Sequence, residues 1–156
     1  MLIRQGEVKD LHSLVEMWGK LSDCHKDFID YISPSFNYRE IMCENFREDM
    51  SNPSIRILVA GECGENIGFI RGELRVNSNL ISGGFFGYIS DVFIEYEYRG
   101  LGVAETLLSE IVSWFRENGV NTVRLNVNSE NIRAIGFYEK FGFKEVNKIL
   151  ALKINE

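Results

Sequence analysis

Residues 91–104 carry the sequence DVFIEYEYRGLGVA, in which a hydrophobic strand pattern changes to a glycine loop and then to a helix. Gly100 and Gly102 allow the backbone to take positive φ angles in a tight turn. After the turn, apolar residues recur at positions 104, 107, 108, 111, 112 and 115, which is the period of an amphipathic helix. The stretch therefore predicts a strand, a loop and the best-defined helix of the chain, in that order.

The start of this helix is a candidate anion site. Its first N–H groups have no acceptors within the helix, the helix dipole adds partial positive charge, and Arg99 adds a full charge. A plain strand-to-helix turn would use the same glycines, so the loop alone leaves both interpretations open. Other motifs do not match: Glu105 stands where a dinucleotide fingerprint needs glycine or alanine, and the Walker and G-x-S-x-G patterns are absent from the sequence.

Outside this stretch, hydrophobic periodicity predicts short strands and helices along the whole chain. We expect strands at 1–5, 55–61, 66–76, 86–95, 123–127, 143–146 and 148–154. We expect helices at 9–23, 38–50, 103–118 and 131–141, the last of them ended by Gly142. This order predicts an α/β (α+β) fold with a mixed, mostly antiparallel central sheet of about seven strands, flanked by about four helices.

Composition bounds the cellular setting and the partners. The 156 residues suit a single domain, 1–156, and the net charge of −6 disfavours nucleic acid and anionic membranes as partners. The three cysteines form no C-x-x-C pair and the chain has only two histidines, so we expect free thiols and no metal site. No signal peptide or membrane-spanning stretch is present in the sequence, which predicts a cytoplasmic protein.

Residues 91–104 resemble the acyl-CoA pyrophosphate motif of the GNAT (Gcn5-related) N-acetyltransferase superfamily, whose pattern is Q/R-x-x-G-x-G/A. Gly100 and Gly102 match the small positions, and Glu97 stands where glutamine or arginine is usual. A second family motif, N-x-x-A-x-x-x-Y-x-x-x-G-F, is matched by Asn131, Ala134, Tyr138, Gly142 and Phe143. The two motifs cover 86–146, and the element order of the whole chain is similar to the family fold.

The resemblance implies acetyl-CoA as cosubstrate and a strand at 86–95 that splays from its neighbour. Backbone groups of that strand would pair with the pantetheine arm like an added strand. The implied cosubstrate-binding residues are Phe93, Ile94, Arg99, Gly100, Leu101, Gly102, Val103, Ala104, Asn131 and Tyr138. In the family, the tyrosine equivalent to Tyr138 points at the CoA sulfur, so we expect Tyr138 to donate to the departing thiolate. Spacing alone also fits a packed aromatic at this position.

Acetyl transfer to an amine needs a neutral amine, and a lysine-like ammonium at pH 7 lies about 4–5 kcal/mol from that state. Asp91 and Glu95 share a strand face at i and i+4, and either is a candidate base acting through water. A solvated or salt-bridged carboxylate is the alternative for each. Tyr88 and Ser90 lie on the opposite face, where they could relay a proton only if a bulge rotates the strand.

The segment 23–50 is expected to wall the acceptor pocket. Its acidic residues are Asp23, Asp27, Asp30, Glu40, Glu44, Glu48 and Asp49. They either attract an ammonium group or form solvated helix faces. Tyr31, Phe36 and Tyr38 form an aromatic wall or simply pack, and Cys24 and His25 are expected to be structural or surface residues.

These observations predict an acetyl-CoA-dependent N-acetyltransferase that acts on the primary amine of a small-molecule, cationic acceptor, such as a polyamine or an aminoglycoside-like polycation. The strand from Tyr88 to Ile94 is somewhat like that of the diamine and polyamine acetyltransferases, which usually carry glutamate where this chain has Ser90. Acetylation of a protein lysine or N-terminus, and a non-catalytic acyl-CoA sensor, are the alternatives. A homodimer is compatible with the fold.

Overall fold

The structure, a computed structural model, describes residues 1–26, 34–78 and 84–154, and it divides into two compact units. In the first unit, Met1–Asn126, the strands are β1 (Leu2–Gln5), β2 (Ile55–Glu62), β3 (Glu65–Val76), β4 (Phe85–Ile94) and β5 (Val123–Leu125). Its helices are α1 (Leu11–Lys26), α2 (Tyr38–Ser51) and α3 (Val103–Glu117), with short 3-10 turns at Val8–Asp10 and Tyr96–Tyr98. The second unit, Val127–Glu156, contains α4 (Ile132–Phe141).

The strands form one sheet in the order β1-β2-β3-β4-β5. All neighbouring pairs are antiparallel except β4 and β5, which run parallel over the short stretch Gly87–Ile89. The parallel pair follows from the α3 crossover, because a helix between two strands returns the chain to the same end of the sheet. The expected mixed, mostly antiparallel sheet is confirmed, and the described residues contain four α-helices, as expected.

Strand β4 carries a bulge at Ser90. Arg71 of β3 pairs with Asp91, but the next β3 residue, Gly72, pairs with Ile89, so Ser90 is left without a partner on β3. A bulge inserts one extra residue in one strand and changes the direction of the groups that follow it. The bulge at Ser90 follows Ile89, the last residue of β4 that pairs with β5.

The two faces of the sheet bury two different cores. The face under α1 and α2 packs around Leu14, Met17, Phe46, Val59, Phe69 and Phe93. On the α3 face, Leu107, Ile111 and Phe115 are fully buried. Gly72 and Gly87 make this packing possible, because a Cβ at either position would lie 2.8 Å from the Phe115 ring. The amphipathic period of α3 therefore reports a real packing face, each such side chain contributing about 1.5–3 kcal/mol.

The second unit begins with a well-capped helix. The Asn131 side chain accepts a 3.1 Å hydrogen bond from the amide of Ala134, which satisfies one of the free donors at the start of α4. The helix ends at Gly142, whose φ of 110° is the left-handed conformation expected of a glycine at this position. Around this end of the helix, the Phe143 ring contacts Tyr138 in a T-shaped arrangement and Phe141 in a tilted one.

The prediction of strands at 143–146 and 148–154 is wrong. Residues 143–154 form neither strand nor helix, and the apolar residues that produced the alternating pattern are exposed: Val146, Ile149, Leu150, Leu152 and Ile154. A strand needs a partner edge for its backbone bonds, and the described part of the second unit, 127–154, contains no other strand that could provide one. The described residues therefore form a sheet of five strands rather than about seven.

None of the helices within 1–26, 34–78 and 84–154 combines the length and the apolar character that a membrane crossing requires.

Candidate active site

The glycine loop has the geometry of an anion cradle. Gly100 and Gly102 have φ angles of 79° and 82°, and a Cβ built on either would meet no atom within 4 Å. Within the described residues, the amides from Gly100 to Glu105 donate to no backbone acceptor, and the first bond of α3 is that from Thr106 to Gly102. A run of free amides at a helix start, beside open space, suits the binding of a phosphate group.

Arg99 folds back toward β4 instead of extending over the loop. Its Nε donates a 2.9 Å hydrogen bond to the carbonyl of Ile94, and its guanidinium lies 5.7 Å from the ring centres of both Phe93 and Tyr96. The positive charge is thus held beside the start of the loop. Val103 is buried in the core and Leu101 is exposed, so these two residues contribute to the loop through their backbone.

The bulge changes which edge of β4 is open. Before it, the amide of Gly87 donates to Thr122, on the β5 side; after it, the amide of Glu95 donates to Ile67, on the β3 side. Residues of a strand alternate between its two edges. In a regular strand of the same sequence, without the bulge, these two odd-numbered positions would face the same edge.

Beyond Ile89, β4 has no strand partner on its β5 side among the described residues. By the same alternation, Ile94 directs its backbone groups to this open edge, where Arg99 already reaches its carbonyl, and Phe93 directs its groups to β3. Within the described residues, β4 therefore continues past the end of β5 with an unpaired edge, and the splay implied for this strand stays a prediction. Of the two residues expected to pair with a pantetheine arm, Ile94 lies with its backbone on the open edge.

The side chain of Asp91 lines a cavity on the face of the sheet that α1 and α2 cover, opposite the α3 face. This cavity has a volume of about 200 Å³ and is lined by Met42, Asn45, Glu48, Asp49, Arg71 and Asp91. Three of its six lining residues are acidic and one is basic. Two of the acidic residues, Glu48 and Asp49, come from the last turn and a half of α2.

Burial raises the pKa of Asp91 above its ordinary value. The rise is opposed by hydrogen bonds from Ser90 and Trp18 and by the charges of Arg71 and His25. The Ser90 hydroxyl donates to Oδ2 of Asp91 at 2.7 Å. A carboxylate with a raised pKa beside a cavity is a typical general base, because its affinity for a proton lies closer to the working pH.

Arg71 is the centre of the charged network under this cavity. Its Nε and Nη2 bind the two carboxylate oxygens of Asp49 at 2.7 and 3.0 Å, and its Nη1 binds Glu73 at 2.8 Å. The same Nη1 donates to Ser90 Oγ at 2.9 Å. Both carboxylates raise the pKa of Arg71, which keeps the guanidinium charged despite its burial.

The network continues to the end of β3. Glu73 also pairs with Arg75, and the Arg75 guanidinium lies 3.6 Å from the centre of the Tyr88 ring. The proton relay considered for Tyr88 and Ser90 depended on a bulge in this strand, and the register between β3 and β4 shows that bulge. Ser90 and Asp91, neighbours in the chain, both reach the same side of the sheet.

Glu95 is held in an ion pair. It follows the last residue of β4, and its Oε1 lies 2.7 Å from Nζ of Lys20 on α1. This is the salt-bridged alternative for that carboxylate. Asp91 borders the cavity and Glu95 does not.

Within the second unit, Tyr138 and Asn131 lie on α4. Burial raises the pKa of Tyr138 to about 12, so its phenol remains protonated throughout the physiological range. The ring packs against Phe137 and Phe143 with centre distances of 5.2 and 5.6 Å. The Asn131 side chain caps α4, as described above, which gives it a structural task in addition to the cosubstrate role expected of it.

The acidic segment 23–50 divides into three groups. Glu48 and Asp49 line the cavity, whereas Asp23, Glu40 and Glu44 are exposed away from it. Asp27, Asp30 and Tyr31 lie outside the described residues. Among the aromatic residues expected to wall a pocket, Tyr38 contacts Trp18 at 5.8 Å between ring centres, and Phe36 is fully exposed.

Comparison with known proteins identifies the family of this chain. The sequence model of the Acetyltransferase (GNAT) family matches residues 20–143. The chain belongs to this family. As a GNAT acetyltransferase it is an enzyme, and its fold class is that of the family.

One similar relative of this GNAT acetyltransferase is the peptidyl-lysine N-acetyltransferase YjaB of Escherichia coli, which is 28% identical over 142 residues, 91% of this chain and 81% of the relative. A mutant of the BH1408 protein from Bacillus halodurans has a TM-score of 0.89 at 22% identity, covering 99% of this chain and 100% of that one. A predicted acetyltransferase from Clostridium acetobutylicum, solved with acetyl-CoA, has a TM-score of 0.77 at 21% identity, covering 98% and 96%.

Sequence reasoning did not find Arg71. Its signal was a charged residue inside the apolar run from Ile67 to Leu74, a position where a buried charge needs partners. Besides Glu73 on the same strand, its partners are Asp49, 22 positions earlier, and Ser90, 19 positions later, and neither of these two spacings follows a helix or strand period.

Proposed function

We propose that this GNAT acetyltransferase transfers an acetyl group from acetyl-CoA to the primary amine of a small, cationic acceptor. The observation that carries the proposal is the cavity beside Asp91, in which a carboxylate with a raised pKa borders a small, acidic space. An ammonium group is the natural occupant of such a space.

The charge balance of the cavity favours a cation. Arg71 is the one basic residue in the lining, and its guanidinium is already matched by Asp49 and Glu73. Glu48 and Asp91 form no ion pair with a described residue, so they leave the cavity with net negative charge when Asp91 is ionised. The volume of about 200 Å³ corresponds to roughly seven water molecules, which suits an alkyl amine rather than a bulky polycyclic acceptor.

Asp91 is the base in the proposed reaction. The acceptor enters as an ammonium ion, and Asp91 takes one of its protons, directly or through water. The neutral nitrogen attacks the thioester carbonyl carbon, a C–N bond forms, and the C–S bond breaks. The second proton of the nitrogen passes to the departing CoA sulfur, which leaves as the thiol, and the proton held by Asp91 is released to solvent.

Acetyl-CoA is held, in this proposal, by the glycine loop and the open edge of β4. The free amides from Gly100 to Glu105, including that of Ala104, would bind the pyrophosphate, and Ile94 would bond the pantetheine arm. Tyr138 is the proposed donor to the departing thiolate. Its raised pKa of about 12 suits a hydrogen-bond donor to developing negative charge better than a group that transfers its proton fully, because a thiol has a pKa near 8.5.

Acetylation of a protein lysine is the second candidate. The similar relative YjaB is a peptidyl-lysine N-acetyltransferase, and a lysine side chain presents the same primary ammonium group as a diamine. The two candidates differ in what surrounds the amine. A peptide needs an extended surface beside the cavity, and a diamine needs only the carboxylates in it.

Release of free CoA from acetyl-CoA tests the proposal, with spermidine, a short diamine, an aminoglycoside, lysine peptides and neutral amines compared at equal concentration. We expect the small cationic amines to give the highest kcat/KM. Faster turnover of lysine peptides would favour the second candidate. Selectivity for neutral or acidic acceptors would exclude the charge argument, and the absence of acetyl-CoA binding by calorimetry would exclude both candidates.

A further inference from the structure

We propose that Ser90, held by Arg71, is a positioning residue for Asp91. The inference rests on the proposed function, because it assigns a role toward the carboxylate that acts as base there. It is carried by the chain of contacts from Arg71 Nη1 to Ser90 Oγ, 2.9 Å, and from Ser90 Oγ to Asp91 Oδ2, 2.7 Å.

The direction of the two hydrogen bonds follows from their chemistry. An arginine side chain has donors and no acceptor, so Ser90 accepts from Arg71. A serine hydroxyl has one proton, and an ionised carboxylate has only acceptors, so that proton is directed to Asp91. Arg71 thereby orients the hydroxyl and polarises it toward the carboxylate. The result is a fixed donor on one oxygen of the base.

Arg71 can orient Ser90 because its own position is fixed. Asp49 binds it in a two-pronged pair and Glu73 binds it from the same strand, and all three side chains are largely buried. The bulge supplies the other half of the arrangement. In a regular strand, neighbouring side chains point to opposite faces, and Ser90 would then lie away from Asp91.

Charged and polar groups face Asp91 from each element packed against it. On α1, Trp18 donates a hydrogen bond to Asp91 and His25 acts on it through its charge. Glu48 and Asp49 of α2 share its cavity, and Arg71 lies across the strand pair on β3. Of these, the Ser90 bond and the Arg71 charge are the largest influences that favour the ionised carboxylate.

The test is a carbon-13 NMR titration of the Asp91 carboxyl in Asp-labelled protein, which needs no substrate. Asp91→Asn assigns the resonance. Ser90→Ala removes a bond made to the ionised form, so we expect the pKa of Asp91 to rise by about half to one pH unit. Ser90→Thr keeps the hydroxyl and should restore the wild-type value. Ser51→Ala is the matched control, since Ser51 is exposed on α2 and bonds only its own helix.

The same shift should appear in kinetics with whichever amine the panel identifies. Because Asp91 is competent when ionised, the acidic limb of kcat/KM should move to higher pH by the same amount in Ser90→Ala, with KM for acetyl-CoA within two-fold of wild type. A carboxyl titration unchanged by Ser90→Ala overturns the inference, even where Asp91→Asn abolishes turnover. Full turnover in Asp91→Asn overturns the assignment of Asp91 as base, and the inference with it.

Discussion

Two partly or fully buried aspartates in the first unit each lie close to an arginine, and their pKa values move in opposite directions. Asp10 receives a two-pronged pair from Arg4, a bond from Asn66 and a bond from the amide of Glu7. These donors hold its pKa well below the usual range, with the Arg4 bond as the largest cause. At Asp91 the largest influence is burial, and the pKa is raised.

The difference lies in how the arginine is used. Arg4 binds Asp10 directly, so Asp10 is a saturated anion that ties β1 to the start of α1. Arg71 makes its two-pronged pair with Asp49, and its hydrogen bonds reach Asp91 only through Ser90. A carboxylate with all its acceptor positions filled stabilises the fold, and one left short of donors beside a cavity keeps its affinity for a proton.

Replacing the base should have the largest effect. Asp91→Asn removes the proton acceptor and should lower kcat with the best amine by about 100-fold or more, with acetyl-CoA affinity within two-fold of wild type. Steady-state kinetics and calorimetry measure the two quantities. Turnover within a few-fold of wild type would place the base elsewhere.

The same substitution should stabilise the fold at neutral pH. A raised pKa means that the folded state resists ionisation, so stability falls as the pH rises from the ordinary value of 3.8 through the folded value. Asn carries no charge to bury. The gain over wild type, measured by urea unfolding, should therefore disappear below about pH 4, and a gain that persisted there would indicate another cause.

The matching substitution at the saturated aspartate should act on stability. Asp10→Asn removes the buried counter-ion of Arg4, which keeps only the longer, 3.9 Å pair with the exposed Glu7, and should cost about 2–3 kcal/mol of unfolding free energy at neutral pH. For a lowered pKa the contribution is present above the ordinary value of 3.8 and is lost as the pH falls below it. The difference from wild type should shrink in acid. Equal stability at pH 7 would contradict the assignment of Asp10 as a structural anion.

Tyr138, in the second unit, is a third group with a shifted pKa. In its case burial is the one cause of the rise. Tyr138→Phe removes the hydroxyl and keeps the ring contacts, so we expect kcat to fall at least about ten-fold while acetyl-CoA affinity changes by no more than a few-fold. Since the phenol has a pKa of about 12, wild-type turnover should show no loss from its ionisation below about pH 11. Unchanged kcat in this variant would remove Tyr138 from the mechanism.

The smallest effect is expected at the rim of the cavity. Glu48→Gln removes an exposed carboxylate from the lining and should raise KM for a diamine by about three-fold, with kcat unchanged. Glu44→Gln, one turn earlier on α2 and outside the lining, is the matched control and should leave KM as it is. An equal effect of the two variants would mean that bulk charge, and not a site, attracts the amine.

The sequence predicted what depends on local pattern. The α3 period, the Gly100 and Gly102 loop and the Gly142 cap each involve residues a few positions apart, where propensity and backbone geometry decide the outcome. Asp91 was named as a candidate base from its strand position alone, and its role stays a prediction although the structure places it beside a cavity.

What the sequence could not predict depends on pairing at a distance. The bulge at Ser90 is a matter of register between β3 and β4, which the alternation of either strand alone does not reveal. The alternating residues after Phe143 suggested strands, but alternation supplies no partner edge. The contacts of Arg71 likewise join three elements whose spacing along the chain follows no structural period.

The bulge also sets the direction of every group that follows it on β4. The one extra residue sets two alternations of the strand, which we call its phases. The side-chain phase brings Ser90 and Asp91 to the same face of the sheet, and the backbone phase turns the amide and carbonyl of Ile94 toward the open edge. A regular strand that included Ser90 in its alternation would reverse both phases together. The Asp91 carboxylate would then turn from the cavity toward the α3 core, and the backbone groups of Ile94 would turn toward β3. Deletion of Ser90, by contrast, would leave both phases in place, because Ile89 and Asp91 already pair with the neighbouring residues Gly72 and Arg71. The bulge, more than the identity of the side chain it carries, thus couples the acceptor face to the donor edge.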